Sequence, residues 1–298
     1  MKEKKRISRS KAILRYPGGK FKAVKFIQPF WEQVEHDEYR EPFVGGGSVF
    51  ISKPLVKFNW INDINKELFA LYKSLADNSK REKLISELLS IEITKGNYDK
   101  LFYSKPKDWL GKAKRYYVLN RCSFSGITKW NSFIGDVRYN IEQAQHLMRD
   151  VGRKLAKTKI TCEDFEKVII AKPLGSGKVF MFLDPPYAES RQEAAYEHSF
   201  TKEDHVRLAN LLKKTKYSFL LTYDDCPFIR ELYEDWTYLY PRTWTYSVAN
   251  VKTHWNPRES GNELFISNFP LKKIENKKIT DFDIIKTNQE PSVLLAEN

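Results

Sequence analysis

The chain is poor in the residues that build metal centres and disulfide scaffolds. Its three cysteines, Cys122, Cys162 and Cys226, lie far apart, and its five histidines show no ligand spacing. The expectation is no metal site and no disulfide framework, which suits a reducing cytoplasm. Nor does any apolar run approach the roughly 20 residues of a membrane-spanning helix. The opening MKEKKRISRSK has no apolar stretch to act as a signal peptide. Acidic residues are also in deficit, 38 Asp and Glu against 51 Lys and Arg, for a net charge of +13. An excess of this size favours a polyanionic partner through counterion release, although a merely basic surface would show the same charge. Six of residues 1–11 are basic, so this arm either touches phosphates or is a solvated tail.

What the chain does have is length and apolar material. Its 298 residues, 41% apolar and 14% Trp, Tyr and Phe, can hold one large α/β domain with an insertion, or two domains. The organising stretch is Val179 to Tyr187, VFMFLDPPY. Five uninterrupted apolar residues, Val179 to Leu183, suit a strand buried on both faces at the centre of a parallel sheet. Asp184 stops the run. Pro185 and Pro186 cannot donate to a sheet ladder and hold the chain extended. A carboxylate, a rigid turn and the Tyr187 ring therefore follow the carboxyl end of a buried strand, where open α/β sheets place ligands. A strand that merely ends in a proline turn, with Tyr187 at the core edge, fits these four residues equally well.

Other segments extend the pattern. Leu14 to Lys20 places two glycines after a proline, before a helix at 23–31. Tyr39 to Phe50 reads as a strand, three glycines (Gly45, Gly46, Gly47) and a helix start, a shape that brings backbone N–H groups against a ligand. It lacks the Gly-Lys-Ser/Thr ending of a phosphate-binding P-loop, which disfavours a nucleoside triphosphate. A second strand, Phe58 to Asn62, delivers Asp63 sixteen to eighteen residues beyond the glycines. There a carboxylate can accept from ribose hydroxyls, or cap a helix spanning 64–76. Residues 79–157 read as a largely helical insertion, with helices at 81–93, 109–120 and 141–156. Its loop Asn120 to Asn131 is rich in the side chains that reach base edges and phosphates, although a surface loop with ordinary turn chemistry would show the same residues. Strand 159–162 leads to Glu163, Asp164 and Phe165, where a carboxylate and a ring suit an adenine but a plain loop fits equally well. After the organising strand come a polar loop at 188–199, a helix at 201–214, a strand at 217–222, a helix at 227–235, and strands at 237–246 and 263–267. Residues 271–298 are polar and read as a partly disordered tail.

With these parts in order, residues 12–269 resemble the Dam-like, D12-class DNA adenine-N6 methyltransferases. The resemblance rests on Arg15 to Lys20, Glu41 to Ser48, Asp63-Ile64-Asn65, Asn120-Arg121 with Phe124-Ser125-Gly126, Asp164-Phe165, Asp184-Pro185-Pro186-Tyr187 and Asn262-Glu263-Leu264. It implies a Rossmann-like α/β methyltransferase sheet with helices on both faces. The catalytic domain would comprise 12–78 and 158–270, with 79–157 as the target-recognition insertion. It further implies S-adenosylmethionine as methyl donor, bound by Tyr16, Lys20, Glu41, Pro42, Phe43, Gly45, Gly47, Asp63, Asp164 and Phe165. Catalysis would fall to Asp184, Pro185, Pro186 and Tyr187, and double-stranded DNA contacts to Arg121, Ser125, Lys129 and Asn131.

A duplex adenine is unreachable in the stack, so it must be flipped out. Its N6 lone pair is delocalised. Acceptors at Asp184 and at the Pro185 carbonyl would turn that lone pair toward the methyl group, with Tyr187 as stacking platform and no metal. Two stretches depart from the family pattern. Phe124-Ser125-Gly126-Ile127 and Lys129-Trp130-Asn131 replace the recognition-loop residues of many GATC-reading members, so GATC is not carried over. Thr222-Tyr223-Asp224-Asp225 keeps only Asp225 of Ser-Asn-x-Asp. The leading expectation is a monomeric, site-specific enzyme of a prokaryotic or phage-infected cell, solitary or paired with a separate restriction endonuclease. The same acceptor geometry would serve RNA or cytosine N4, and a non-catalytic DNA-binding regulator could keep the fold.

Overall fold

The computed structural model describes residues 12–16, 18–136, 138–189, 200–245 and 260–272. The expected basic arm at 1–11, Pro17, positions 190–199 of the polar loop, Tyr246 and the tail beyond 272 lie outside them. No helix among the described residues is long and apolar enough to cross a membrane.

Among the described residues seven strands form one sheet: β1 (Glu38–Glu41), β2 (Phe58–Asn62), β3 (Lys159–Thr161), β4 (Val179–Leu183), β5 (Ser218–Asp224), β6 (Tyr238–Thr245) and β7 (Ser260–Ser267). Their spatial order is β3-β2-β1-β4-β5-β7-β6. The first five are mutually parallel, while β7 runs antiparallel to both β5 and β6. This is the Rossmann-like methyltransferase sheet expected from the sequence. All five residues of β4 are buried, as their unbroken apolar run demands.

Chain order reverses between β1 and β4. β1 leads outward to β2, β4 leads outward to β5, and a crevice opens where they part. Central strand β1 is nonetheless polar, Glu-Tyr-Arg-Glu, and wholly buried. Arg40 makes this tolerable. Its guanidinium donates to Glu38 (2.7 Å) and to the carbonyls of Val168, Ala171 and Lys172 (2.8, 2.9 and 3.1 Å), so the charges of Arg40 and Glu38 are both partnered.

The helices are α1 (Val24–Gln33), α2 (Ser48–Ser52), α3 (Lys66–Ala76), α4 (Asn78–Leu89), α5 (Lys95–Tyr103), α6 (Trp109–Cys122), α7 (Ile141–Leu155), α8 (Phe165–Ile169), α9 (Lys202–Lys214) and α10 (Pro227–Tyr233). The stretch expected as an insertion is helical, but it buries Leu84, Leu88, Tyr117 and Met148 in one core with Leu68 and Leu71 of α3. Three local expectations need correction. The helix after β2 begins at Lys66, because Asn65 rather than Asp63 is its cap, accepting from the N–H groups of Glu67 and Leu68 (2.9 Å each). The helix expected at 81–93 runs from Asn78, with Asp77 capping it. Finally, α5 and α8 form where no helix was anticipated.

Candidate active site

A cavity of about 280 Å³ occupies the crevice at the carboxyl ends of β1, β2 and β4. It is lined by Tyr16, Lys20, Glu41, Pro42, Phe43, Gly45, Gly47, Asp63, Asp164 and Phe165, together with Asp184, Pro185, Pro186 and Tyr187. Residues singled out from scattered motifs thus meet in one place. Arg121, Ser125, Lys129 and Asn131 are not part of its lining.

The floor is tied together by Asn62. Its amide donates to the carbonyls of Pro42 (3.0 Å) and Glu163 (2.8 Å) and accepts from the Thr161 hydroxyl (2.7 Å) and the Glu163 N–H (2.9 Å). One buried side chain therefore joins the ends of three strands. Above it the glycine loop is braced from both sides. Tyr72 of α3 donates to the Gly45 carbonyl at 2.7 Å. A Cβ at Gly45 would lie 2.8 Å from Tyr16 Cε1, so a side chain there is excluded by the Tyr16 ring. The loop was expected to turn its N–H groups toward a ligand, but two of them are used within the protein. Gly45 donates to Asp63 Oδ2 (2.9 Å) and Gly47 to the Val44 carbonyl (2.8 Å). Asp63 Oδ1 also accepts from the Asn65 N–H at 3.0 Å. Its carboxylate is thereby fixed at the cavity wall.

One end of the cavity is aromatic. The rings of Phe43, Phe165 and Phe200 stand 5.3, 5.7 and 5.5 Å apart, centroid to centroid. Arg207 of α9 lies 4.2 Å over Phe165 and grips both oxygens of Asp164 (2.9 and 3.0 Å). Asp164 also accepts from the Glu166 N–H, capping α8. A cluster of tilted aromatic rings with a carboxylate at its rim suits a purine, and Asp63 in the same lining suits hydroxyl donors. The lining therefore fits an adenosine-bearing ligand. Phe200, Arg207 and Asn62 carried no sequence signal that singled them out.

At the other end stands Asp184. Its Oδ1 is held twice, by the Lys20 ammonium (2.9 Å) and by the Thr222 hydroxyl of β5 (2.7 Å). Oδ2 has no partner among the described residues. Lys20 is almost fully buried, donates to the Gly18 carbonyl (2.9 Å), and lies 3.9 Å from Glu263 of β7 and 4.8 Å from the Tyr187 ring centre. Burial alone would lower the Lys20 pKa. The Asp184 and Glu263 charges and the Asp184 hydrogen bond outweigh it and leave the value raised. Asp224, in the stretch that departs from the family pattern, accepts from the N–H groups of Ala188 (3.0 Å) and Glu189 (2.7 Å) and pins the chain just past Tyr187. Asp225 instead pairs with Arg230 (2.6 Å). Thr222 and Glu263 could have been suspected as polar residues inside apolar strands.

Glu41, also in the lining, is fully buried and accepts from the Tyr39 hydroxyl at 2.6 Å. Burial pushes its carboxyl up to about 8. Among the described residues no group of His, Cys, Asp and Glu is arranged to hold a metal ion.

The Asn120–Asn131 loop leaves α6 as a tight turn, with Ser125 at a φ of 52°. It closes on itself through Phe124 N–H to Ser132 O (2.9 Å) and Ile134 N–H to Cys122 O (2.8 Å). Lys129, Trp130 and Asn131 are exposed. Asn131 is engaged with α5, donating to Asp99 at 2.7 Å. Arg121 donates to the Arg138 carbonyl (2.8 Å). Burial and then the charges of Arg138 and Arg121 lower the pKa of Arg15, so three guanidinium groups stand together. None of the three is in an ion pair among the described residues. Such a cluster suits phosphate oxygens.

The model of the D12 class N6 adenine-specific DNA methyltransferases matches residues 16–248. A type II methyltransferase, M.CviBI, of Paramecium bursaria Chlorella virus NC1A is 30% identical over 229 residues, covering 75% of this chain and 86% of the relative. The DNA N-6-adenine-methyltransferase of Escherichia phage P1 is 29% identical over 245 residues, 76% of this chain but 31% of that longer protein. A type II methyltransferase, M.MjaIII, of Methanocaldococcus jannaschii is 26% identical over 238 residues, 68% of this chain and 80% of the relative.

Proposed function

The chain belongs to the D12 class of N6 adenine-specific DNA methyltransferases and is an adenine-specific DNA methyltransferase; from that premise we propose that its donor is S-adenosylmethionine and that it acts on an adenine flipped out of duplex DNA. When bound, S-adenosylmethionine supplies an electrophilic methyl group on a sulfonium sulfur. The observation that carries the reading is the convergence of the glycine loop, the phenylalanine cage and Asp184 on one cavity.

In this reading Phe43, Phe165 and Phe200 enclose the cofactor adenine, with Asp164 at its edge. Asp63 accepts from ribose hydroxyls. Tyr16, Lys20, Glu41, Pro42, Gly45 and Gly47 complete the cofactor wall. The target base takes the Asp184 end. Asp184 Oδ2 and the Pro185 carbonyl accept the two N6 hydrogens, Pro186 keeps that turn extended, and Tyr187 faces the base. Two acceptors on one amine draw its lone pair out of conjugation and stabilise the positive charge that develops on nitrogen. Lys20 and Thr222, both on Oδ1, fix the carboxylate so that Oδ2 is the atom presented. Preorganisation of this kind removes reorientation from the reaction itself. Extrusion of the base costs a few kcal/mol, and stacking returns ~1–3 kcal/mol. Arg121, Ser125, Lys129 and Asn131, on a loop outside the cavity, would contact the duplex.

The test is incubation with methyl-labelled S-adenosylmethionine and unmethylated duplex DNA, followed by single-base mapping. N6-methyladenine confined to one short motif is the expected result. Label on RNA or on cytosine N4 instead, or DNA binding without transfer, would overturn it.

A further inference from the structure

Asn120 is 1% exposed and belongs to neither the cavity lining nor the exposed part of the loop. It nevertheless touches the structures that carry both. Its Oδ1 accepts from the Arg15 N–H (2.9 Å), and its Nδ2 donates to the carbonyls of Arg15 (2.6 Å) and Gly126 (3.0 Å). Both backbone groups of Arg15 are thus held by one amide, which also holds the turn that opens the loop. The Arg15 side chain adds a bond from Nη1 to the Ser123 carbonyl at 3.1 Å. The junction is tight: a Cβ at Gly126, whose φ is +80°, would lie 2.2 Å from the Arg15 carbonyl oxygen. On its far side the next residue, Tyr16, lines the cavity and packs its ring on Gly45. Two consecutive residues therefore face the loop on one side and the cavity on the other, as a partition between them. Neither side of the partition can shift without breaking the bonds of Asn120 or displacing the Tyr16 ring.

We propose that Asn120 is a positioning residue that couples the two ligand sites, so that DNA on loop 123–131 and an adenosine-bearing ligand in the cavity strengthen each other's binding. The proposal rests on the cofactor reading given above. The element through which the two sites act on each other is the Arg15–Tyr16 partition. The turn next to it holds Ser125, a non-glycine residue, at positive φ, a conformation that persists only where its surroundings impose it. DNA that orders the turn orders the partition through Asn120. Linkage then requires that a ligand against Tyr16 favour DNA by the same factor.

The experiment is calorimetric titration of S-adenosylhomocysteine into the full chain, alone and with a saturating unmethylated duplex carrying the mapped target. Wild-type protein is expected to bind S-adenosylhomocysteine at least about five-fold more tightly with DNA, the lower range of couplings between sites. In Asn120→Ala the ratio should fall toward one, while binding to the free protein persists. Gly126→Ala strains the same junction from the loop side and should lower the ratio independently, which covers an Asn120 variant that fails to fold. A wild-type ratio of one, or variants that keep the wild-type ratio, would overturn the proposal and leave the cofactor reading standing. Wild-type protein that binds no S-adenosylhomocysteine would overturn both.

Discussion

The ammonium of Lys20 lies 2.9 Å from Asp184 Oδ1, and the pair is enclosed well enough that Lys20 is only 5% exposed. Removing the lysine takes away the cation that Asp184 and Glu263 share. Lys20→Met should therefore lower the unfolding temperature, as expected when one partner of a buried pair is lost. It should also cut methyl transfer by about 10²-fold or more, since Asp184 loses the group that orients it. Asp184→Ala should abolish transfer and leave DNA binding largely intact. Filter binding beside labelled transfer separates the two effects, and an active Asp184→Ala would remove this residue from the chemistry.

Thr222 supplies the second hold on Oδ1, at 2.7 Å from a fully buried position. Thr222→Val keeps shape and burial but removes the donor. A hydrogen bond to a charged group is worth about 1.5–3 kcal/mol, so kcat should fall about ten-fold or more. Cofactor affinity should not change. An equal loss in both would assign Thr222 a merely structural part.

Arg207 holds Asp164 by two parallel bonds while covering the Phe165 ring. Arg207→Ala should weaken S-adenosylhomocysteine binding by about ten-fold through loss of both the bidentate pair and the cation–π contact. Arg207→Lys should rescue little, because an ammonium cannot reproduce the planar fork. Binding of duplex DNA to the cofactor-free protein should be unaltered.

Burial raises the Glu41 carboxyl from about 4.5 to about 8; the Tyr39 hydrogen bond and Lys154 offset part of this, and Asp184 adds to it. A carboxyl with a folded-state value above its unfolded one contributes stability that is complete below pH 4.5 and is lost as pH rises through about 8. Lys53 and Lys154, each lowered by burial from 10.5 to about 8, act oppositely: their contribution is present above 10.5 and lost as pH falls through about 8. Glu41→Gln removes the first effect and also takes from Lys53 and Lys154 the charge that holds their values up, so both lysines fall further. The unfolding midpoint of the variant should gain on wild type steadily between pH 5 and 8, and parallel curves would refute the assignment.

Arg121→Ala and Lys129→Ala should weaken DNA binding or relax site choice. If Arg121 contacts a phosphate, the slope of log affinity against log salt should fall by about one, uniformly across sequences. Unchanged binding and site choice in both variants would place recognition elsewhere.

Much of the site could be read in advance because its parts are local. Val179–Leu183 is apolar without interruption and ends at two prolines, so strand, turn and carboxylate follow from neighbouring residues. The capping box of α9, Thr201 with Asp204, is equally local. Less was legible where a partner is distant. Lys95–Tyr103 buries only Tyr98, so its periodicity is too weak to announce a helix. Asp63 reads as a helix cap by position, yet its carboxylate is taken by Gly45 across the crevice, and Asn65 does the capping.

The sequence by itself determined which residue types are present and in what order: glycine loop, acid, the polar loop at 120–131, acid with aromatic, and Asp-Pro-Pro-Tyr. Each is a short run whose meaning lies in adjacent side chains. Only the tertiary structure decided how the pieces are used. It put β7 between β5 and β6, which brings Glu263 to Lys20, and it brought Lys20 and Thr222 to the same oxygen of Asp184. It also set Asn120 between the loop and the cavity. Such pairings depend on strand order and on which buried polar groups find one another. No local pattern of residues encodes that.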